Sequence, residues 1–345
     1  MCALTGVRRF FNALFDKLHS MRTLVTGGAG FIGAHVVELL RNRGDEVVIV
    51  DDLVTGLAHR VDGVEIHQMD LADLSVVAPL TELMRAKGID SVIHFAARKQ
   101  VFESVQRPAW YYQQNIGSLA NVLLAMQEAD VRRLVFSSSA SVYGTTEGAS
   151  ILESDGTVPV NPYGETKLMG ERLVAAAGAA WGLRGVSLRY FNVAGAASAR
   201  LGDRAVLNLV PMVFERIDAG ESPLVFGGDY DTPDGSCVRD YVHVSDLADA
   251  HLATLDNLGE RADGWHDAFN VGTGVGTSVL EIVNLVREVT GLDIRPEIRD
   301  RRAGDPAIVV ASAEKIEREL GWRARRGTAE IIESAWSAHR ANTGA

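Results

Sequence analysis

The segment VTGGAGFIGAHVVELL, residues 25–40, constrains the fold of this chain more than any other. A short β-branched run, RTLVTG, leads into glycines spaced Gly28-x-Gly30-x-x-Gly33, with Gly27-x-x-Gly30-x-x-Gly33 in a shifted frame. An amphipathic helical pattern over 30–43 follows. Glycines allow the tight turn and the close approach of backbone to a ligand, and the helix start offers free N–H donors. A second strand, EVVIVDD, ends at Asp51 and Asp52, about 20 residues beyond the glycines. Strand, glycine turn, helix and delayed acid together predict a dinucleotide seat. Carboxylates at that place bond ribose hydroxyls and repel a 2′-phosphate, and the first arginine after them in the sequence is Arg60. The spacing favours NAD over NADP.

From Met21 onward, apolar strand-like runs alternate with helical patterns, the signature of βαβ units and a parallel sheet. VEIHQMD, DSVIHFAA, RRLVFSSS and GVSLRYFN read as the third to sixth strands, with a helix over about 109–129 and another holding Tyr163. This predicts an α/β fold: a Rossmann-type, doubly wound parallel sheet over 21–191. After about residue 192 the rhythm breaks, and 196–236 is rich in Gly, Asp and Pro. Short strands in PLVFGG, VRDYVHV, AFNVG and DIRPEI, with helices near 245–257, 278–290 and 327–341, predict a smaller mixed α/β lobe over 192–345. Part of 236–258 is expected to pack back on the first unit.

Composition excludes several classes. A net charge of −11 gives no electrostatic footprint for nucleic acid. Two cysteines, Cys2 and Cys237, make neither a disulfide framework nor a zinc spacing, and fit a reducing cytoplasm. The nine histidines never take the H-E-x-x-H form, so no metal site is expected. No apolar run is long enough to span a bilayer. Residues 1–20 read as an extended or misassigned start ahead of Met21, a weak membrane or partner helix being the other reading.

In VNPYGETKLMGERL, residues 160–173, Tyr163 and Lys167 stand one helical turn apart and share a face. Such a pair is either solvated surface decoration or a means of making the phenol acidic. A free phenol titrates near pH 10; a neighbouring ammonium and an oxidised nicotinamide both favour the phenolate. Ser139 closes the fifth strand, at the carboxyl end of the sheet, where ligands of such folds bind.

TGGAGFIG, VIHFAARKQVFESVQRP, YYQQN, FSSSASVYG, NPYGETKLMGE, LRYFNVAGA, DGSCVRDYVHVSDLADAHLATL, NVGTGVGTSVLEIV and RRAGDPA together resemble the extended short-chain dehydrogenase/reductases, and among them the UDP-glucose (UDP-galactose) 4-epimerases. The resemblance covers about Met21 to residue 335. It implies inversion of C4 of a UDP-hexose through a transient 4-keto sugar, with NAD as cofactor, Tyr163 as base and Lys167 and Ser139 assisting. It implies further that Gly27, Gly30, Phe31, Ile32 and Gly33 seat the pyrophosphate, that Asp51 and Asp52 hold the ribose, and that Asp70 and Leu71 flank the adenine. Phe95, Ala96 and Ala97 would line the cleft, Lys99 and Asn115 would reach its phosphate and ribose region, and Tyr190 and Phe191 would lie near the nicotinamide. Asn192, Asn208, Leu209, Phe226, Arg239, Arg302, Asp305 and Val309 would meet the UDP-sugar, together with Lys99, Ser139 and Tyr163. The residue-level alternative for Arg239 is an ion pair with Asp240 or Asp246, and His243 and Asp246 read as stabilising the lobe. Relatives pair two subunits through helices around 109–129 and 162–180, which implies a homodimer.

Other readings remain beside this one. A nucleotide-sugar 4,6-dehydratase would place Asp-Glu after the serine position, where this chain has Ala140-Ser141. A non-catalytic NAD sensor commonly loses the tyrosine or lysine, and this chain keeps both. Leu207 stands where many relatives carry asparagine. Val309 stands where relatives restricted to plain hexoses carry tyrosine and those accepting N-acetyl sugars a smaller residue, leaving a UDP-N-acetylhexosamine or dual-specificity epimerase open.

Overall fold

A computed structural model describes residues 21–145, 148, 150–302 and 305–344; the segment 1–20 lies outside the described residues. The strands run in chain order β1 (Arg22–Thr26), β2 (Glu46–Asp51), β3 (Ile66–Gln68), β4 (Ser91–His94), β5 (Arg133–Ser137), β6 (Arg184–Tyr190), β7 (Asn192–Ala194), β8 (Leu224–Phe226), β9 (Val238–His243), β10 (His266–Val271), β11 (Gly276–Ser278), β12 (Glu297–Arg299) and β13 (Ile308–Val309). Seven of them form one sheet in the order β10-β6-β5-β4-β1-β2-β3. Every pairing in it is parallel. This is the Rossmann-type doubly wound arrangement expected, and it reverses direction between β1 and β4. Thr23, Leu24, Val25 and Thr26 are wholly buried, as in a strand covered by helices on both faces.

The apolar run DAFNV, in β10, joins this sheet beside β6 rather than the later, smaller sheets. Its Phe269 and Val271 are fully buried with Val186 and Leu188 of β6, a long-range partnership that no local pattern announces. The helix Val244–Leu258 packs against the helix Phe31–Arg43 and against β5 and β6. Beyond these, β11, β9, β13 and β7 make a small mixed sheet, and β8 pairs with β12. A helix at Leu209–Asp218, in the stretch expected to be loop-rich, buries Val210, Val213 and Phe214.

The expected helix over 109–129 is broken into three parts. Pro108 begins a short helix, Gln113–Gly117 form a π turn, and Ser118–Glu128 complete it. Pro108 fits the first helical position because it needs no N–H partner there. The π turn has a use: Asn115 within it is buried, accepts the Arg98 main-chain N–H at 2.8 Å and donates to the Arg98 carbonyl at 3.0 Å.

Candidate active site

The turn after β1 is built for close approach. Gly27 has φ +69°, and a Cβ there would lie 2.8 Å from the Ala96 nitrogen. At Gly33 a Cβ would fall 2.3 Å from the Gly27 carbonyl oxygen. No side chain caps the helix that starts at Phe31, so its first N–H groups are left for an outside acceptor. A backbone cradle and uncapped helix start suit a pyrophosphate, so the residues present fit a dinucleotide.

A cavity of about 250 Å³ opens in front of this turn. Gly27, Gly30, Phe31, Ile32 and Gly33 line it, as do Asp51 and Asp52 at the end of β2 and Asp70 and Leu71 after β3. Phe95, Ala96, Ala97 and Lys99 contribute from the end of β4, and Tyr163, Lys167 and Tyr190 close it. Asn115 lies behind that wall, hydrogen-bonded to Arg98 and to Thr166 Oγ1. Phe191 is buried beside it in an apolar cluster with Val142, Tyr143, Ile151 and Leu168, against which Val309 packs.

Asn161 caps the helix Pro162–Trp181 by accepting the Gly164 N–H, with Pro162 at its first turn. Tyr163 and Lys167 therefore sit on its first two turns, both buried. The Lys167 Nζ donates to the Ser137 carbonyl at 2.8 Å and lies 5.8 Å from the centre of the Tyr163 ring. Burial lowers the Lys167 pKa to about 8. Burial pushes the Tyr163 phenol up, and a hydrogen bond with Ser139 opposes this. Burial in the polypeptide alone thus favours the neutral phenol. The Ser139 hydroxyl also accepts the Ser141 N–H at 3.1 Å. Behind the pair, His94 meets Thr26 Oγ1 at 2.8 Å, and burial and the Lys167 charge drive its pKa to about 3.

The residues expected to meet the UDP-sugar lie in the smaller sheets and the loops around them. Arg302 stacks over the Phe226 ring at 3.9 Å, and Arg239 faces Asp305 at 3.8 Å. The ion pair considered for Arg239 is absent: Asp240 accepts the N–H groups of Thr273, Gly274 and Ala311, and Asp246 pairs with Arg326. His243 caps the helix Val244–Leu258. Asn208 precedes the helix Leu209–Asp218 and bonds Asp203, and Asn192 is exposed on β7. Val309 pairs in register with Arg239.

Sequence reasoning missed several lining residues, among them Arg60, Arg98, Glu103 and Asp203, whereas Leu207, noted for its departure from asparagine, does line the cavity. Arg98 reaches Asp52 at 2.7 Å, so an arginine stands far closer to the ribose acids than the linear spacing suggested. Its signal was available in FAARK, next to Lys99. Arg60 carried none.

Residues 23–272 match the NAD dependent epimerase/dehydratase family. The chain is 43% identical over 325 residues to the UDP-glucose 4-epimerase of Halalkalibacterium halodurans, covering 93% of this chain and 96% of that one. Among solved structures, it is similar to the UDP-glucose 4-epimerase of Stenotrophomonas maltophila with bound NAD and formylated UDP-arabinopyranose, at 39% identity and a TM-score of 0.87, over 94% of this chain and 100% of that one. The UDP-Glc/GlcNAc 4-epimerase of Campylobacter jejuni is 34% identical with a TM-score of 0.80, over 93% and 100%. A glycine cradle, Asp51 and Asp52 at the end of β2 and a buried Tyr–Lys helix on one cavity agree with these likenesses, and the chain belongs to the NAD-dependent epimerase/dehydratase family, with the UDP-glucose 4-epimerases.

Proposed function

We propose that this enzyme inverts C4 of UDP-glucose and UDP-galactose, using NAD that it keeps between turnovers, and so serves galactose metabolism. The observation that carries the reading is the meeting of Tyr163 and Lys167 with the glycine cradle on one cavity. NAD, when bound in the glycine cradle, would supply the reversible hydride transfer at C4 that the inversion requires. Tyr163 takes the C4 hydroxyl proton and later gives it back. Ser139 hydrogen-bonds the same substrate oxygen, and Lys167 keeps a positive charge beneath the site. Gly27, Gly30, Phe31, Ile32, Gly33, Asp51, Asp52, Asp70, Leu71, Phe95, Ala96, Ala97, Lys99, Asn115, Tyr190 and Phe191 hold or flank the dinucleotide. Asn192, Asn208, Leu209, Phe226, Arg239, Arg302 and Asp305 hold the UDP portion, the arginines offering paired donors to phosphate oxygens.

Residues 21–191, with 244–258 and β10, act in this reading as the cofactor unit, and the rest of 192–345 as the sugar-nucleotide lobe. Two copies pair through 109–129 and 162–180, a view supported by the exposed apolar side chains of Leu124 and Met169 on those helices. The cytoplasm is proposed as the compartment from the sparse cysteines, of which Cys237 is buried and free.

A second reading, turnover of UDP-N-acetylhexosamines as well, rests on Val309, whose side chain is smaller than a tyrosine and only half-buried. Incubation with UDP-glucose or UDP-galactose without added reductant tests the proposal. Interconversion supports it; a deoxy-keto product means a dehydratase, and silence with bound NAD means a sensor.

A further inference from the structure

The guanidinium of Arg60 has few partners inside the protein. It sits in the short 3-10 turn Ala58–Val61, is only 4% exposed, and lines the cofactor cavity. Of the five N–H donors a guanidinium carries, one on Nη2 reaches the Gly202 carbonyl at 2.8 Å. Nε is buried with no hydrogen-bond partner. No carboxylate among the described residues comes within ion-pair distance; the charge of Asp203 favours the guanidinium, and Arg204 opposes it. A buried charge is ordinarily paired.

The backbone fixes where this cation stands. Leu57 donates to the Ala29 carbonyl at 2.9 Å, and Arg60 donates in turn to the Leu57 carbonyl at 2.9 Å. The 3-10 turn is thereby tied to the residue before Gly30, where the uncapped helix begins. Arg200 bonds the Arg60 carbonyl and Glu38, holding the same turn from the other lobe. Arg60 thus lines the cavity from the wall that carries the glycine turn, with its Nε left unpartnered. A dinucleotide has two sorts of groups to offer there, ribose hydroxyls and phosphate oxygens. Asp51 and Asp52 already supply acceptors for hydroxyls, whereas donors suit anionic oxygens.

We propose that Arg60 is a phosphate-binding residue of this chain, donating to the pyrophosphate of the bound dinucleotide while its Nη2 stays on the Gly202 carbonyl. Resting on the reading that the cavity holds NAD, this makes the Gly202–Leu207 loop, which adds Asp203, Ala205 and Leu207 to the cavity wall, part of what retains the cofactor. The linear spacing gives no hint of it, because the loop is about 140 residues away.

The test uses the holoenzyme. Exchange of bound NAD for isotope-labelled NAD is followed by mass spectrometry in wild type, Arg60→Met, Arg60→Lys and Arg200→Gln, with 31P spectra of the bound dinucleotide. Arg60→Met is expected to speed exchange at least tenfold and to shift the pyrophosphate resonances. Arg60→Lys, keeping charge but not the fork, falls between. Arg200→Gln, which loosens the turn without touching the guanidinium, leaves the resonances in place. Unchanged exchange in Arg60→Met overturns the inference. So does equal acceleration in Arg60→Met and Arg200→Gln with no phosphorus shift, since Arg60 is then only a loop anchor. If Arg60→Met does not fold, the Arg60→Lys spectrum decides by the same criterion. A wild-type protein that carries no dinucleotide refutes the cofactor reading itself.

Discussion

Lys167 gives its ammonium to the Ser137 carbonyl at 2.8 Å and not to the Tyr163 phenol one helical turn away. Ser137 is the last residue of β5, so the carboxyl end of that interior strand holds the cation in place. With its pKa lowered to about 8 by burial, Lys167 loses its proton before the buried phenol does. In the proposed mechanism the phenolate draws on the added positive charge of an oxidised nicotinamide, which would tie the base to the presence of the cofactor.

The pH profile of kcat follows from that order. The proposed mechanism keeps Lys167 charged, so the rate is expected to fall on the alkaline side with a midpoint near or below pH 8. Lys167→Met should lower kcat by about two to four orders of magnitude and erase that limb. Steady-state rates between pH 6 and pH 10 measure both. An unchanged alkaline limb in the variant would assign it to another group.

Tyr163→Phe removes the proposed proton acceptor but leaves the ring and its packing. Turnover should drop about 10²- to 10⁴-fold while NAD stays bound. Ser139→Ala removes one hydrogen bond of about 1 kcal/mol, a loss of roughly tenfold or less. Rates measured beside bound-dinucleotide absorbance check the pair, and a fully active Tyr163→Phe would move the base elsewhere.

Much of this was legible because its signals are local. The strands of the main sheet carry continuous apolar runs, and Gly27 and Gly33 are demanded by the backbone approach at Ala96 and Gly27. What escaped depends on distance along the chain or on a masked period. Residues 209–218 form a helix although Pro211 and the surrounding glycines and aspartates read as loop; proline within a first helical turn removes no intrahelical bond. The membership of β10 in the large sheet rests on pairing with β6, about 80 residues earlier. Arg98 meets Asp52 across 46 positions. Tyr163 and Lys167 stood out as a pair by motif; the contact of Arg98 with Asp52 did not.

Buried histidines predict acid sensitivity. Burial lowers His35, His243 and His251 to about 4 and His94 to about 3. The unfolded chain takes up protons near pH 6.5 that the folded chain refuses, so their contribution is complete above pH 6.5 and is lost as the pH falls toward 4. Asp51 and Asp240, raised by burial, act with the opposite sign at lower pH. The thermal midpoint is expected to fall by several degrees between about pH 7 and pH 5. His251, whose Nε2 has no partner and whose ring packs 4.7 Å from Phe95, gives a control. His251→Phe should flatten this slope by one proton, and a slope identical to wild type would remove His251 from the account.

Val309 tests the breadth of the sugar site. It lies on β13, in register with Arg239 and against the cluster that contains Phe191. That places it beside one of the residues proposed to hold the UDP and on the apolar patch beside the proposed nicotinamide end, and its bulk is proposed to limit what projects from the sugar. A valine is smaller than a tyrosine, and an N-acetyl group at C2 is bulkier than a hydroxyl. Val309→Tyr is therefore expected to reduce turnover of UDP-N-acetylhexosamines at least tenfold, with kcat/KM for UDP-glucose and UDP-galactose changed no more than about twofold, since a lost fit of 1–3 kcal/mol is the usual scale of steric exclusion. Parallel progress curves on the plain and acetylated pairs measure the ratio. Equal loss on both would mean that the position supports the lobe and does not choose the sugar.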